Sequence, residues 1–180
     1  MLKRILFSTC LALSAAACLW AGQAYRTTTP LPPSAGTQGR VTLDEFIGRN
    51  PQTNPVGKLK VYLIKFEDSR PLQELQQRCR RATAETSINA MTVYHVCTES
   101  LARAVELIPT LPSVARTETD RDGFYQFDSV PAAGRYQVVG VKVIPDGEPL
   151  VIVGVTSKLK AGERVTMNLS ANNPWTGATL

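Results

Sequence analysis

Between Pro71 and Pro109 the chain runs for some 37 residues without a glycine or a proline, the longest such run in the sequence. Within it Leu72, Leu75, Cys79, Ala82, Thr86, Ala90, Val93, Cys97, Leu101, Ala104 and Ile108 recur at spacings of three and four. That period places side chains on one face of an α-helix. Pro71 suits a first helical position, where no backbone N–H is needed, and Pro109 halts the segment. One unbroken helix of this length would measure about 55 Å, longer than a domain of this size is wide. A bend is therefore expected. The weakest helix formers cluster at Thr86-Ser87-Ile88-Asn89, and a turn centred on Ile88 folds the segment into a helical hairpin. A long bent helix is the other reading of the same period.

The turn would have a chemical consequence, because Cys79 and Cys97 each lie nine residues from Ile88. A hairpin brings them face to face. On one straight helix their sulfurs would be about 27 Å apart, whereas a disulfide needs Cα atoms within roughly 7 Å. The other two cysteines, Cys10 and Cys18, fall in the apolar N-terminal run. That leaves Cys79 and Cys97 as a pair suited to an oxidising compartment, with two small buried thiols as the alternative.

Met1 to Arg4 is positively charged, and Ile5 to Trp20 follows without a charge, the pattern of a secretory signal. As a retained anchor the run would come close to the ~20 residues a bilayer needs, but its alanine-rich end favours cleavage. Gly22-Gln23-Ala24 offers small residues where a signal peptidase reads, which gives a signal over residues 1–24. Ser14-Ala15-Ala16-Ala17-Cys18 resembles a relaxed bacterial lipobox, with Ala15 in place of the usual leucine. By that second route Cys18 would carry a lipid and tether the chain to a membrane. Residues 25–40, with Pro30, Pro32, Pro33, Ser34, Gly36 and Gly39, have linker composition.

What remains, residues 41–180, is enough for one domain with a real core and too little for two. Lysine and arginine exceed aspartate and glutamate by 20 to 15. Setting aside Lys3 and Arg4 reduces the excess from +5 to 18 − 15 = +3, too small to argue for nucleic acid. The densest basic cluster, Arg78, Arg80 and Arg81, lacks interleaved aromatics and reads as a solvated helix face. An anionic envelope surface stays open to it as a weak partner.

Lys58 to Phe66 is rich in β-branched and aromatic residues between turn-forming neighbours, and reads as a strand. Thr42 to Glu45 matches a helix capping box, with Gly48 placed to end a single turn. After Pro112 come short extended runs at Ala115 to Thr119, Phe124 to Asp128, Arg135 to Ile144, Leu150 to Ser157 and Arg164 to Ser170. Asp122-Gly123 is expected to join the first two as a hairpin. Pro131 to Gly134, Pro145 to Gly147 and Ala161-Gly162 punctuate the rest. Closely spaced strands with turns between them predict a sandwich rather than a βαβ arrangement.

Thr119-Asp120-Arg121-Asp122-Gly123-Phe124-Tyr125-Gln126-Phe127-Asp128, followed by Val130 to Tyr136, resembles the carboxypeptidase regulatory-like family. The matching run is a threonine, an aspartate-glycine turn, alternating aromatics, a proline-glycine turn and a tyrosine. Lys160 to Leu169 resembles that family's closing strand, and Val61 to Leu63 an early one. The resemblance implies a transthyretin-like (prealbumin-like) β-sandwich in an extracytoplasmic setting, with roles in adhesion, envelope assembly or domain support. It does not imply peptidase activity, which belongs to a separate catalytic domain. The helical stretch is an insertion, 71–109, that the basic sandwich does not require.

Chemistry-bearing motifs are sparse. His95 is the sole histidine, so no histidine-bearing zinc cluster can be assembled, and the cysteines are not at finger spacing. No Gly-x-Ser-x-Gly elbow presents a serine, and no glycine-rich phosphate loop occurs. Asp120 to Gly123 lacks the further ligands of a calcium loop and reads as a turn. Asn168-Leu169-Ser170 matches a glycosylation acceptor by coincidence, inside an expected strand. Phe46, Tyr62, Phe66 and Trp175 read as packing residues, without the interleaved cations of a stacking platform.

The expectation is thus a mainly β fold, an antiparallel transthyretin-like sandwich with an inserted helical hairpin, exported and non-catalytic. It needs no cofactor or metal, and its partner is a protein or envelope component met on the helical insertion, at Arg78, Arg81 and Glu85. The alternative is a small-molecule or carbohydrate carrier or enzyme, using a groove between helices and sandwich.

Overall fold

Three of the apolar runs carry hydrophobic residues at successive positions instead of alternating ones: Lys60–Lys65, Tyr136–Lys142 and Leu150–Val155. A strand of this kind must be covered on both faces. A computed structural model, which describes residues 34–47, 50–85, 89–145 and 147–170, shows both covers. In chain order the elements are β1 (Ser34–Ile47), β2 (Asn50–Pro55), β3 (Lys60–Lys65), α1 (Arg70–Ala84) and α2 (Ala90–Leu107). A 3-10 turn (Ile108–Thr110) leads to β4 (Ser113–Glu118), β5 (Phe124–Pro131), β6 (Tyr136–Lys142), β7 (Leu150–Val155), β8 (Arg164–Thr166) and β9 (Leu169–Ser170).

The fold is a mainly β sandwich with an inserted helical hairpin. One sheet has the order β4-β3-β6-β7, antiparallel throughout. The other is built on β1, which pairs antiparallel with β2 and β5 and parallel with the short β8 and β9. Alternation divides the first sheet's side chains between two cores. Val61, Leu63, Val138 and Ile152 face the other sheet, where Val41, Tyr125, Phe127, Val130 and Leu169 meet them. Tyr62, Ile64, Val139, Val141, Val151 and Val153 face the helices, packing on Leu72, Cys79, Ala104 and Ile108. The helical insertion is thus the third layer of the fold.

Pro71 stands in the first turn of α1, and Asn89 caps α2 by accepting a hydrogen bond from the Thr92 backbone at 2.8 Å. The hairpin is realised and the long bent helix is not, although residues 86–88 of the expected turn lie outside the described residues. The periodic stripe on α2 is buried only toward its C-terminal end, at Ala104 and the following Ile108, while Ala90 is exposed and Val93 half-exposed.

Four expectations are corrected. Residues 34–40, read as the end of a linker, and Thr42 to Glu45, read as a helix cap, are consecutive parts of β1, so the folded domain starts before residue 41. The misreading has a physical cause: over residues 34–40 the strand closes on its neighbours by backbone approach, and a Cβ at Gly39 would sit 1.7 Å from the Met167 carbonyl oxygen. Asp122-Gly123 does turn the chain, closed by the Gly123 N–H donating to the Asp120 carbonyl at 3.0 Å. The strands it joins are not a hairpin, however, since β4 belongs to one sheet and β5 to the other. The run Arg164 to Ser170 is split into β8 and β9, separated by Met167 and Asn168. The expected signal over 1–24, with Cys18, the earlier part of the linker, and Trp175 lie outside the described residues.

Candidate functional site

The expected disulfide is present: Cys79 and Cys97 are bonded, with Cα atoms 4.6 Å apart. Each residue comes from one arm of the hairpin, α1 presenting Cys79 from its buried face and α2 presenting a half-buried Cys97. Closing a loop of 18 residues stabilises the folded state by about 3 kcal/mol in the entropic treatment.

A second tie lies on the outer surface. Arg78 Nη2 reaches Glu99 Oε2 at 3.0 Å, and Arg103 Nη2 reaches Glu99 Oε1 at 2.7 Å, so one carboxylate links α1 to α2. At this exposure each pair contributes no more than about 1 kcal/mol. Of the three residues expected to meet a partner, Arg78 is therefore engaged within the hairpin. Arg81 and Glu85 are exposed at the far end of α1, where the Glu85 N–H donates to the Arg81 carbonyl. All three lie along the arm that the disulfide holds.

Among the described residues the surface displays four large apolar side chains that sequence reasoning missed: Met91 (64% exposed), Tyr94 (54%), Val143 (68%) and Ile144 (43%). The Tyr94 hydroxyl donates to Glu148 Oε1 at 3.0 Å, joining α2 to the β6–β7 connection. A signal did exist, because Met91 and Tyr94 fall off the three-and-four stripe that marks the buried helix face. His95 is exposed, its ring edge-on to Tyr94 at 5.9 Å. Among the described residues no three His, Cys, Asp or Glu side chains gather as a metal would require. None of the described helices is long and apolar enough to cross a membrane.

The motif residues around Asp120 and Tyr136 build turns. Asp120 Oδ1 accepts the N–H groups of Asp122 and Phe124, at 2.9 and 2.8 Å. The Thr119 hydroxyl donates to the Val56 carbonyl and accepts from the Leu59 N–H, tying the β2–β3 connection to the end of β4. The Tyr136 hydroxyl donates back to the Pro131 carbonyl at 2.6 Å, as in the tyrosine corner of other sandwiches. Burial raises its pKa, with the nearby Glu67 charge a smaller contribution. The Tyr125 phenol is pushed up by burial as well, and donates to the Met167 carbonyl at 2.7 Å. Asn168 of the glycosylation triplet accepts from the Arg40 N–H. Tyr62 and Phe66 each carry an arginine on the ring face, Arg116 at 5.5 Å and Arg135 at 4.4 Å.

Between α1 and the sheet lies a small polar cleft of about 60 Å³, lined by Phe66, Gln73, Gln76, Arg80 and Gln137. That is room for a few waters. Gln73 is committed to the Phe66 carbonyl and the Ser69 hydroxyl. Gln137 is 1% exposed, and its Oε1 has no hydrogen-bond partner.

No family model matches the chain, and no curated protein matches it. Among solved structures it is similar to the TIE protein of Bacillus anthracis, at 9% identity and TM-score 0.33, over 76% of this chain and 18% of that one. A minor pilin of Streptococcus agalactiae follows at 14% identity and TM-score 0.35, over 76% and 50%. The shaft pilin SpaA of Lactobacillus rhamnosus GG stands at 7% identity and TM-score 0.30, over 79% and 52%. The chain thus spans about half or less of the length of each, and likeness this loose says nothing about activity or partners.

Proposed function

We propose that the chain is an exported, non-catalytic sandwich module of the carboxypeptidase regulatory-like kind, which binds a protein or envelope component through the outer side of its helical hairpin. The Cys79–Cys97 disulfide carries this reading. Such a bond persists in oxidising compartments, which agrees with the charge-free run after Arg4. It also holds one exposed arm in a fixed pose, so that little ordering is left for the moment of binding. Arg81 and Glu85 lie on that arm, and Arg78 is held there by Glu99. The family assignment within the sandwiches is supported by the Asp120 turn and the Tyr136 to Pro131 hydrogen bond, which give the resembling residues structural work. Cleavage after Ala24, or in its place lipid attachment at Cys18, belongs to the same proposal.

In-cell crosslinking followed by affinity capture tests the reading. Arg81→Glu with Glu85→Lys should abolish a crosslinked partner while the melting temperature holds. A partner retained by this variant, or an intact mass showing that the native protein keeps residues 1–24 without a lipid, would sink it.

A second reading, a small-molecule or carbohydrate carrier, draws on the orphaned Gln137 Oε1 in the cleft beneath α1. A metabolite that raises the melting temperature of wild-type protein but not of Gln137→Leu would favour it.

A further inference from the structure

The end of the sandwich farthest from the Asp120 turn shows features that neither reading uses. Lys65 of β3 pairs in register with Tyr136 of β6, which brings Lys65 and Glu67 alongside Arg135. Lys158, from the segment after β7, completes a cleft of about 450 Å³. Small-ligand sites generally measure ~300–1,000 Å³, and the lower part of that range suits a single sugar unit.

The wall of this cleft, Pro131 to Gly134, is held from several sides. The Ala133 N–H donates to the Leu159 carbonyl at 2.7 Å, the Leu159 N–H donates to the Gly134 carbonyl at 2.9 Å, and Tyr136 anchors Pro131. These bonds keep Ala133 at φ 64°, a left-handed conformation unfavourable for alanine. A site fixed before its ligand arrives loses little entropy on binding.

Charge sets the ligand's class. Three cations and one carboxylate line the cleft. Among the described residues the side chains of Lys65, Arg135 and Lys158 have neither an ion-pair nor a hydrogen-bond partner. Arg135 lies against the Phe66 ring through its face, and its in-plane N–H donors are left for an oxyanion. Glu67 can accept only from donors, such as sugar hydroxyls. Pro131 and Ala132 give an apolar wall against which a C–H face can rest.

We infer that this cleft binds an acidic sugar, its carboxylate or phosphate held by Lys65, Arg135 and Lys158 and its hydroxyls by Glu67. The inference does not depend on the hairpin surface.

The test is a chemical-shift or calorimetric titration of the purified protein at low ionic strength with glucuronate, glucose 6-phosphate, glucose and inorganic phosphate. At least one of the two acidic sugars should bind, about tenfold more tightly than glucose, and added salt should weaken it. Which of the two binds better tells a carboxylate ligand from a phosphate one. Lys65→Gln with Lys158→Gln, both at exposed positions, should weaken binding by about tenfold. Equal affinity for glucose, equal affinity for inorganic phosphate alone, an unaffected double variant, or no binding of either acidic sugar would each overturn the proposal.

Discussion

The two sheets of this sandwich are built on opposite principles. In the β4-β3-β6-β7 sheet the middle strand β6 is buried along nearly its whole length, from Tyr136 to Val141. In the sheet organised by β1, strand β5 alternates, with Tyr125, Phe127 and Val130 inward and Gln126, Asp128 and Ser129 exposed. The first sheet excludes water by bulk on both faces. The second excludes it on one face, and β1 itself is closed by backbone proximity at Gly39. A continuous apolar strand therefore implies a second cover, and here the helical hairpin supplies it.

That contrast can be broken most sharply at adjacent residues of β3. Leu63 faces the opposite sheet and Ile64 faces the helices, both fully buried. Leu63→Ala and Ile64→Ala should each destabilise by about 2–5 kcal/mol in urea unfolding. If the Ile64 variant lost much less, the helices would be an ornament on a finished sandwich. Removing both cysteines, as Cys79→Ala with Cys97→Ala, should lower stability by about 3 kcal/mol. Hydrogen exchange should then show the amides of α1 and α2 opening ahead of those of β3 and β6. Tyr136→Phe deletes the hydrogen bond to Pro131 and should cost about 1 kcal/mol, a loss confined to the sandwich and independent of the disulfide. The smallest effect is expected at the solvated edge of the β1 sheet. Hydrogen bonds from Arg164 and then Gln126 hold the Asp128 carboxyl below the usual aspartate range. The stability this confers is complete above that range and is lost as pH falls through the lowered value. Asp128→Asn should therefore flatten the acid limb of a stability-against-pH curve slightly.

The helices and the disulfide were legible because their determinants are local: a three-and-four stripe, two prolines, and cysteines equidistant from a weak turn. The strands after Pro112 were legible for the same reason. β1 was not, because what makes Ser34 to Arg40 a strand is its partners, Phe124 to Pro131 on one edge and Arg164 to Thr166 on the other. Small and polar residues suit that crowded position, yet as a string they read as linker. The Asp122-Gly123 turn was placed correctly and its strands were assigned to the wrong pairing, since turn chemistry says where a chain reverses and not which sheet it enters. The candidate contact residues fared similarly. Periodicity told buried from exposed on α1, but that Arg78 would be taken by Glu99 depended on the fit of one helix against the other. The cleft around Arg135 was invisible, assembled as it is from three separated segments.

The parallel pairing of β1 with β8 and β9 has a consequence for when the protein can finish folding. The hairpin's crosslink joins positions 18 apart, whereas Arg164 meets Gln38 across 126 positions. Short-range contacts form early, and distant ones must wait for the chain between them to be ordered. During synthesis the first strand stays without its C-terminal neighbours until the last has emerged, leaving an unsatisfied edge open to other chains for most of that interval.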